Sequence, residues 1–542
     1  MALSNFRRRF TTAINLLYWC LLIVRLSKAE VFTAMADVEN LIHTEQMVAD
    51  VIERYVEMDT KRLEQLKKLA NEYRVSKTAE LSRGSNHLYN PINAFRFIKK
   101  LTEEWNYVES LMKSDSSDTY LQNITAMRQS SAAKFPTDED LTGAAVALLR
   151  LQDVYKLDTH ELSQGKIEGI PNVDEFTAGE CFELGRVAYN NKDYYHVILW
   201  MQEAMNRYEH EDPPTVDLSD ILEYLAFGLY QQGNVKRALQ LTKRLYNRQP
   251  DHPRAKGNIK YYEDMLVKDG IHRSSDFNLP PVVNPRPADH ALPERSDFEA
   301  LCRGEYLLTE KQRSTFYCYY KRDKAYLKLA PIKAEIVHRK PMILLFRDVI
   351  SDREIDVLKT LAYPKLRRAT VHNKETGQLE FANYRISKSA WLKDADHPVV
   401  AEVVRRIGDM TNLNMETAEE LQIANYGLGG HYDPHFDHAR KEEVNAFKSL
   451  NTGNRIATLM FYISQPEAGG ATVFTELKIG VSPTKRDAVF WHNLLRNGEG
   501  DVRTRHAACP VLAGVKWVAN KWIHERGQEF YRPCALTENY YE

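Results

Sequence analysis

The sequence predicts a multidomain protein of α and β structure: a helical N-terminal region, a helical repeat domain and a strand-rich C-terminal domain. Three observations predict it. Apolar residues recur at helical steps between about Val31 and Met112. Two stretches, one starting at Glu183 and one at Glu223, can be laid on each other as helix pairs. From about Pro341 onward, short runs such as ATLMFYIS, ATVF and DAVFW alternate with glycine and proline turns. A chain of 542 residues is too long for one core, so two to four domains are expected. The net charge of −1 leaves no broad basic field for nucleic acid and no acidic block.

The first residues read as an address. Arg7, Arg8 and Arg9 precede the apolar run Ala13 to Val24, and Ser27 and Ala29 fit the small-residue cleavage rule. The run is short for a bilayer, so residues 1–29 are expected to be a cleaved signal peptide, with an uncleaved anchor as the alternative, and no later stretch reaches membrane-spanning length. Entry to the secretory route makes Asn123-Ile-Thr125 a glycosylation acceptor. With Cys20 removed, Cys302 and Cys318 are close in sequence, as are Cys509 and Cys534. These local pairs are candidate disulfides in an oxidising lumen, and Cys181 is expected to be a buried free thiol. The closing NYYE is not a retention signal.

Residues 30–172 are expected to form a helical domain. Val38, Leu41, Val48, Ile52, Tyr55, Leu63 and Leu66 mark a long charged helix from Val31 to Tyr73, with Glu45 and Asp59 breaking any strict heptad. After Pro91, Phe95, Ile98, Trp105, Val108 and Met112 share one helical face. The pair reads either as a dimerisation hairpin or as an ordinary helical domain.

Residues 173–268 carry the repeat. Leu184 matches Leu225, Tyr189 matches Tyr230, and Lys192 in one turn matches Gly233 in the other. Leu184-Gly185, Tyr194 and Ala204, then Gly233, Ala238 and Pro250, fit the tetratricopeptide pattern. A third helix, Arg254 to Leu266, caps the pair. Tyr224, Phe227 and Tyr230 follow one another at three-residue steps; Asn258 and Tyr261 lie on the cap, and Glu223 heads the second copy. The aromatics read either as core or as a groove. Tyrosine at matched positions favours a groove, because a buried hydroxyl needs a partner. An aromatic groove suits a proline-rich peptide, which is already extended and loses little entropy on docking.

Residues 269–337 contain a proline-rich linker, LPPVVNPRPADHALPE, and the Cys302–Cys318 segment. Residues 338–542 contain the chemistry. In HYDPHFDHAR, His435 and Asp437 are two apart, so on a strand they face the same way. Alone this is a weak signal. Farther on, His506 offers a second imidazole, and Lys516, Val518, Asn520, Trp522 and His524 would share one face of a strand. A lysine on an inward face is costly without an anionic partner, which a dicarboxylate would provide.

The stretches YGLGGHYDPHFDHARK, GNRIATLMFYIS, GGATVF and TRHAACPVLAGVKWVANKWIHERGQEF, with the tyrosine-rich repeat, closely resemble the α subunit of collagen prolyl 4-hydroxylase over nearly the whole mature chain. The resemblance implies a C-terminal double-stranded β-helix, or jelly roll. It implies His435, Asp437 and His506 as Fe(II) ligands, Lys516 as the partner of the distal carboxylate of 2-oxoglutarate, and His524 as a helper in placing or decarboxylating it. Tyr426, Thr472, Arg455 and Trp522 match positions lining the pocket or channel. The repeat would bind peptide through Tyr189, Glu223, Tyr224, Phe227, Tyr230, Asn258 and Tyr261, and the N-terminal helices would dimerise. His431, Asp433 and His438 are expected not to ligate, and His492 to lie at the surface.

The implied reaction is 4-hydroxylation of proline in collagen-like Gly-X-Y chains, with O2 as co-substrate and L-ascorbate as reductant. The implied assembly is an α2β2 tetramer with protein disulfide isomerase, which would retain the chain in the endoplasmic reticulum lumen. Another luminal 2-oxoglutarate oxygenase, acting on lysine or on a non-collagen protein, and a non-catalytic scaffold for proline-rich chains stand as alternatives.

Overall fold

The computed structural model describes residues 30–83, 90–114, 117–129, 135–268, 279–288, 292–305, 308–372, 379–381, 384–443, 446–447 and 450–535. The expected signal peptide and the NYYE terminus lie outside them. Among the described residues no helix is long and apolar enough to cross a membrane. Residues 37–136 form one compact unit, and the other described residues form a second.

In the smaller unit the helix Leu41–Arg83 packs against Trp105–Lys113 and Ser117–Gln129. Tyr55 meets Tyr120 edge-on at 5.6 Å, and Arg62 is held by Asp59 and the Leu111 carbonyl. Val108 is buried, whereas Phe95, Ile98, Trp105 and Met112 stay exposed. Asn123 is exposed on its helix. The long helix begins ten residues later than its apolar steps suggest. Residues 31–36, and the helix Asp138–Tyr155, pack in the larger unit instead of with the other N-terminal helices.

The repeat occupies five helices of the larger unit: Ala178–Asn190, Tyr194–Tyr208, Leu218–Gln231, Val235–Arg248 and Ala255–Lys268. Polar residues start them. Thr177 and Glu180 form a capping box, and Asp193 and Asp217 accept from the first-turn amides of His196 and Ser219. Both turns need a left-handed residue, supplied by Lys192 in the first copy and Gly233 in the second. A Cβ on Gly185 would stand 2.8 Å from Met201, so glycine lets the paired helices close. Cys181 is buried in this core, which pushes its thiol up to about 12.

The C-terminal half is built from antiparallel sheets. The larger has nine strands in the order Cys318–Lys321, Ile332–Arg339, Met342–Arg347, Ala488–His492, Arg455–Tyr462, Trp517–His524, Leu421–Tyr426, Ser387–Leu392 and Arg367–Arg368. The smaller runs Ile479–Val481, Thr472–Phe474, His506–Ala508, Tyr432–His435. Along Arg455–Tyr462 alternate residues part company. Ala457, Leu459 and Phe461 join a core with the helices Asp352–Ala362 and Pro398–Thr411, while Met460 and Tyr462 join Phe474, Trp491 and Val518 between the sheets. Two facing sheets around this inner cluster make the double-stranded β-helix.

The local disulfide pairs expected from sequence are not formed. Cys302 bonds Cys509 instead, and Cys318 and Cys534 are free and exposed. The helix Arg295–Cys302 packs on the strand Thr472–Phe474, placing both sulfurs in an apolar cluster with Phe298 and Val473. Cys318 meanwhile sits on the edge strand of the large sheet.

Candidate active site

His435 ends one strand of the small sheet, and His506 begins the neighbouring strand as its direct cross-strand partner. Asp437 lies just past the strand, in the bend that follows. The Nε2 atoms of His435 and His506 stand 3.8 and 3.6 Å from the Asp437 carboxylate oxygens. One ligand atom from each residue lies within 4.8 Å of the others, a spacing that one metal ion can bridge.

The surroundings prepare these atoms. His435 Nδ1 bonds the Asp433 carbonyl at 2.7 Å, and His506 Nδ1 bonds the Thr504 carbonyl at 2.9 Å, so both rings present Nε2 to the centre. Burial, aided by the neighbouring His506, holds His435 well below the ordinary histidine range and keeps it neutral, as a ligand must be. Burial opposes ionisation of Asp437, but His506, His435 and Arg455 outweigh it and bring its carboxyl down to about 2. The Thr458 hydroxyl donates to Asp437 Oδ2 at 2.7 Å and accepts from Asn493 Nδ2 at 2.9 Å. This donor set fits Fe(II).

Lys516 is fully buried. Its Nζ donates to the Gly470 carbonyl at 2.6 Å and lies 4.8 Å from the Tyr426 ring centroid. No carboxylate pairs with it among the described residues, and burial lowers its pKa to about 7. A buried ammonium with a carbonyl and a ring for company fits one end of a dicarboxylate. Thr472, two residues past Gly470, accepts from the Tyr462 hydroxyl at 2.9 Å.

A cavity of about 760 Å³ opens over His435 and Asp437, walled by Tyr384, Trp391, Tyr432, Arg455 and Trp522. Arg455 stacks on Trp522 at 3.9 Å and donates to both carboxylate oxygens of Glu419 from Nε and Nη2. Residues 34–169 match the prolyl 4-hydroxylase α-subunit N-terminal region, 178–268 the prolyl 4-hydroxylase peptide-substrate-binding domain, and 421–524 the 2-oxoglutarate–Fe(II) oxygenase superfamily. The chain is 57% identical to prolyl 4-hydroxylase subunit alpha-2 of Caenorhabditis elegans, over 96% of each chain. It is 48% identical to the human subunit alpha-1, over 94% of this chain and 96% of that one. The chain belongs to the prolyl 4-hydroxylase α-subunit family. It is a 2-oxoglutarate–Fe(II) oxygenase whose reaction is proline hydroxylation.

Within this prolyl 4-hydroxylase subunit, the structure does not bring His524 to Lys516. Eight residues farther along, His524 hydrogen-bonds the Thr452 hydroxyl and Gly453 carbonyl through Nδ1, and Glu419 through Nε2. Burial works against Glu419, yet Arg455 and His524 hold its carboxyl down to about 2. His431 and His438 are buried outside the triad, and His492 is only partly exposed, its ring 5.0 Å from Phe490.

In the repeat the aromatics form one chain of edge-on contacts. Tyr189 meets Tyr224 at 4.8 Å and Phe227 at 5.4 Å, Phe227 meets Tyr230 at 6.0 Å, and Tyr230 meets Tyr261 at 5.7 Å. The Tyr230 and Tyr261 hydroxyls are 3.0 Å apart. Tyr189, Tyr224, Phe227 and Tyr230 are half-buried and Tyr261 is exposed, so their rings are open to a ligand. Glu223 is tied to Arg254 at 2.5 Å, and Asn258 is half-buried on the capping helix.

Sequence reasoning missed Thr458 and Glu419. A polar residue on the inward phase of the apolar run ATLMFYIS could have flagged Thr458. Glu419 lies outside every motif, so nothing local marks it.

Proposed function

We propose that this subunit hydroxylates C4 of prolines in collagen-like Gly-X-Y chains, in the endoplasmic reticulum lumen, as part of an α2β2 assembly with protein disulfide isomerase. The observation that carries the substrate class is the run of accessible rings from Tyr189 to Tyr261, in the same chain as the triad. Flat faces with hydroxyl edges suit pyrrolidine rings and the carbonyls of an extended chain.

His435, Asp437 and His506 would hold Fe(II), and Lys516 would bind the far carboxylate of 2-oxoglutarate. When bound, iron and 2-oxoglutarate together activate O2, with 2-oxoglutarate lost as succinate and CO2 and one oxygen atom passed to proline. The remaining work belongs to the protein. Thr458 orients Asp437. The apolar wall of Phe474 and Trp491 behind His506 excludes water. Arg455, locked by Glu419 and stacked on Trp522, gives the cavity a rigid polar edge. The tyrosine groove keeps a repetitive chain tethered while successive prolines reach the cavity, raising their effective concentration. Ascorbate would restore iron oxidised without product.

The test is turnover of a Pro-Pro-Gly repeat peptide by the complex co-produced with protein disulfide isomerase. Succinate and 4-hydroxyproline are read together, beside a His435→Ala control. Matched formation of both, absent from the control, is expected. Succinate without hydroxyproline would sink the substrate assignment.

A further inference from the structure

The helix Asp138–Tyr155 holds the segment leading into the His435 strand and the segment leaving the His506 strand, although it lies in the N-terminal part of the chain. Near its middle, Arg150 donates to the Gly429 carbonyl at 3.3 Å and faces Asp433, whose own carbonyl holds His435 Nδ1. The backbone of this segment sits directly on the helix. Gly429 has a positive φ of 52°, and a Cβ there would meet the Ala147 carbonyl at 3.0 Å and Leu151 at 3.3 Å. Upstream, Leu428 donates to the Phe32 carbonyl at 3.0 Å, and Phe32 is joined to the first turn of the helix by Asp140, which accepts from the Val31 and Phe32 amides.

The last residue of the helix holds the segment that leaves the second strand. Tyr155 donates its hydroxyl to the Pro510 carbonyl at 2.5 Å, four residues past His506. That hydroxyl is also 2.5 Å from where a Gly469 Cβ would stand. Cys509 is tied to Cys302, and Arg303, one residue on, donates to the Val154 carbonyl at 2.8 Å. The helix therefore links the segment entering the His435 strand to the segment leaving the His506 strand.

We propose that Asp138–Tyr155 is a built-in brace of the metal centre, with Arg150 and Tyr155 as positioning residues for His435 and His506. The proposal rests on the triad being the metal site. A ligand pair on two strands binds metal tightly only if the strands keep their register, and residues that orient ligands are worth 10- to 100-fold in metal affinity. The brace also gives the N-terminal part of the chain a function in catalysis separate from self-association.

The test uses the full chain in complex with its partner subunit, stripped of metal and titrated with Co(II), whose visible absorption reports ligand number and geometry. Arg150→Ala and Tyr155→Phe are each expected to weaken Co(II) binding roughly tenfold and to change the band shape. Arg150→Lys should restore part of the loss. Binding of a Pro-Pro-Gly peptide to the groove should stay unchanged, which a misfolded chain would not allow. Tyr155→Phe removes a single hydroxyl, and it decides the matter if Arg150→Ala does not fold. Parental affinity and spectrum in both variants would overturn the brace. No difference between the parent and His435→Ala would instead overturn the triad as the metal site.

Discussion

His435 and His506 face each other across two antiparallel strands with ring centroids 4.4 Å apart, and each Nδ1 bonds the carbonyl two residues before it. The same local turn is thus used twice to aim Nε2 at a common point. Directly opposed residues in a sheet have Cβ atoms about 5 Å apart, so the pairing itself delivers two ligands. The third, Asp437, comes from beyond the strand end and needs separate support.

That support is Thr458. Thr458→Val keeps the volume, removes the 2.7 Å hydrogen bond to Asp437 and strands the Asn493 amide. Metal affinity should fall by about tenfold or more, with little change in peptide binding. Equilibrium titration of the stripped complex with Fe(II) or Co(II) checks it, and unchanged affinity would remove Thr458 from the ligand shell.

As the proposed partner of 2-oxoglutarate, Lys516 should make binding of that co-substrate pH-dependent. In the ligand-free protein burial brings its pKa down to about 7. Between that value and the ordinary lysine range, the unfolded chain holds a proton that the folded chain lacks. Burial of Lys516 therefore costs stability in full below about pH 7, and the cost shrinks as pH rises. A bound carboxylate reverses the preference, because it needs the ammonium. Affinity for 2-oxoglutarate should be full below about pH 7 and fall above it, by up to about tenfold per pH unit. Lys516→Met should lose the affinity and the slope together. Calorimetric titration between pH 6 and 9 tests this, and a flat parental profile would contradict it.

In the groove, Tyr230 contacts Phe227, Tyr261 and Tyr262. Tyr230→Ala should weaken binding of a proline-rich peptide about tenfold, near 1.4 kcal/mol. Tyr230→Phe should lose less, since it forfeits only the hydroxyl pair with Tyr261. Fluorescence titration of the complex distinguishes the two. Identical affinity in parent and Tyr230→Ala would take Tyr230 out of the contact.

The disulfide links segments 207 residues apart. Peptide mapping without reduction should recover Cys302 joined to Cys509, and neither Cys302–Cys318 nor Cys509–Cys534. Replacing both cysteines by alanine should lower stability by about 2–4 kcal/mol, read as a fall in Tm. Recovery of the local pairs would refute the long-range bond.

The motif-bearing residues were legible because their information is local. The two-residue spacing flagged His435 with Asp437, although Asp437 lies in the bend past the strand end and not on the shared strand face that the spacing suggested. Matched repeat positions share a conformation, which is why Lys192 and Gly233 are both left-handed. Resemblance to a family supplied His506 and Lys516. What failed was of another kind. Cysteine pairing by nearness in sequence gave the wrong partners, since the helix Arg295–Cys302 docks on a strand close to Cys509 in space alone. The partner that holds His524, Glu419, was likewise not legible, because it lies 105 residues away in sequence.

By itself, then, the sequence determined the kinds of domain, the shared face of Lys516 to His524, the ligand types and the tyrosine repeat, all of which follow from periodicity and from short ordered motifs. Only the tertiary structure decided which cysteines bond, where His524 turns, and that Arg150 and Tyr155 hold the segments flanking the strands of His435 and His506. Those are meetings between segments hundreds of residues apart, set by how helices and sheets close on one another, and no local pattern in the chain encodes them.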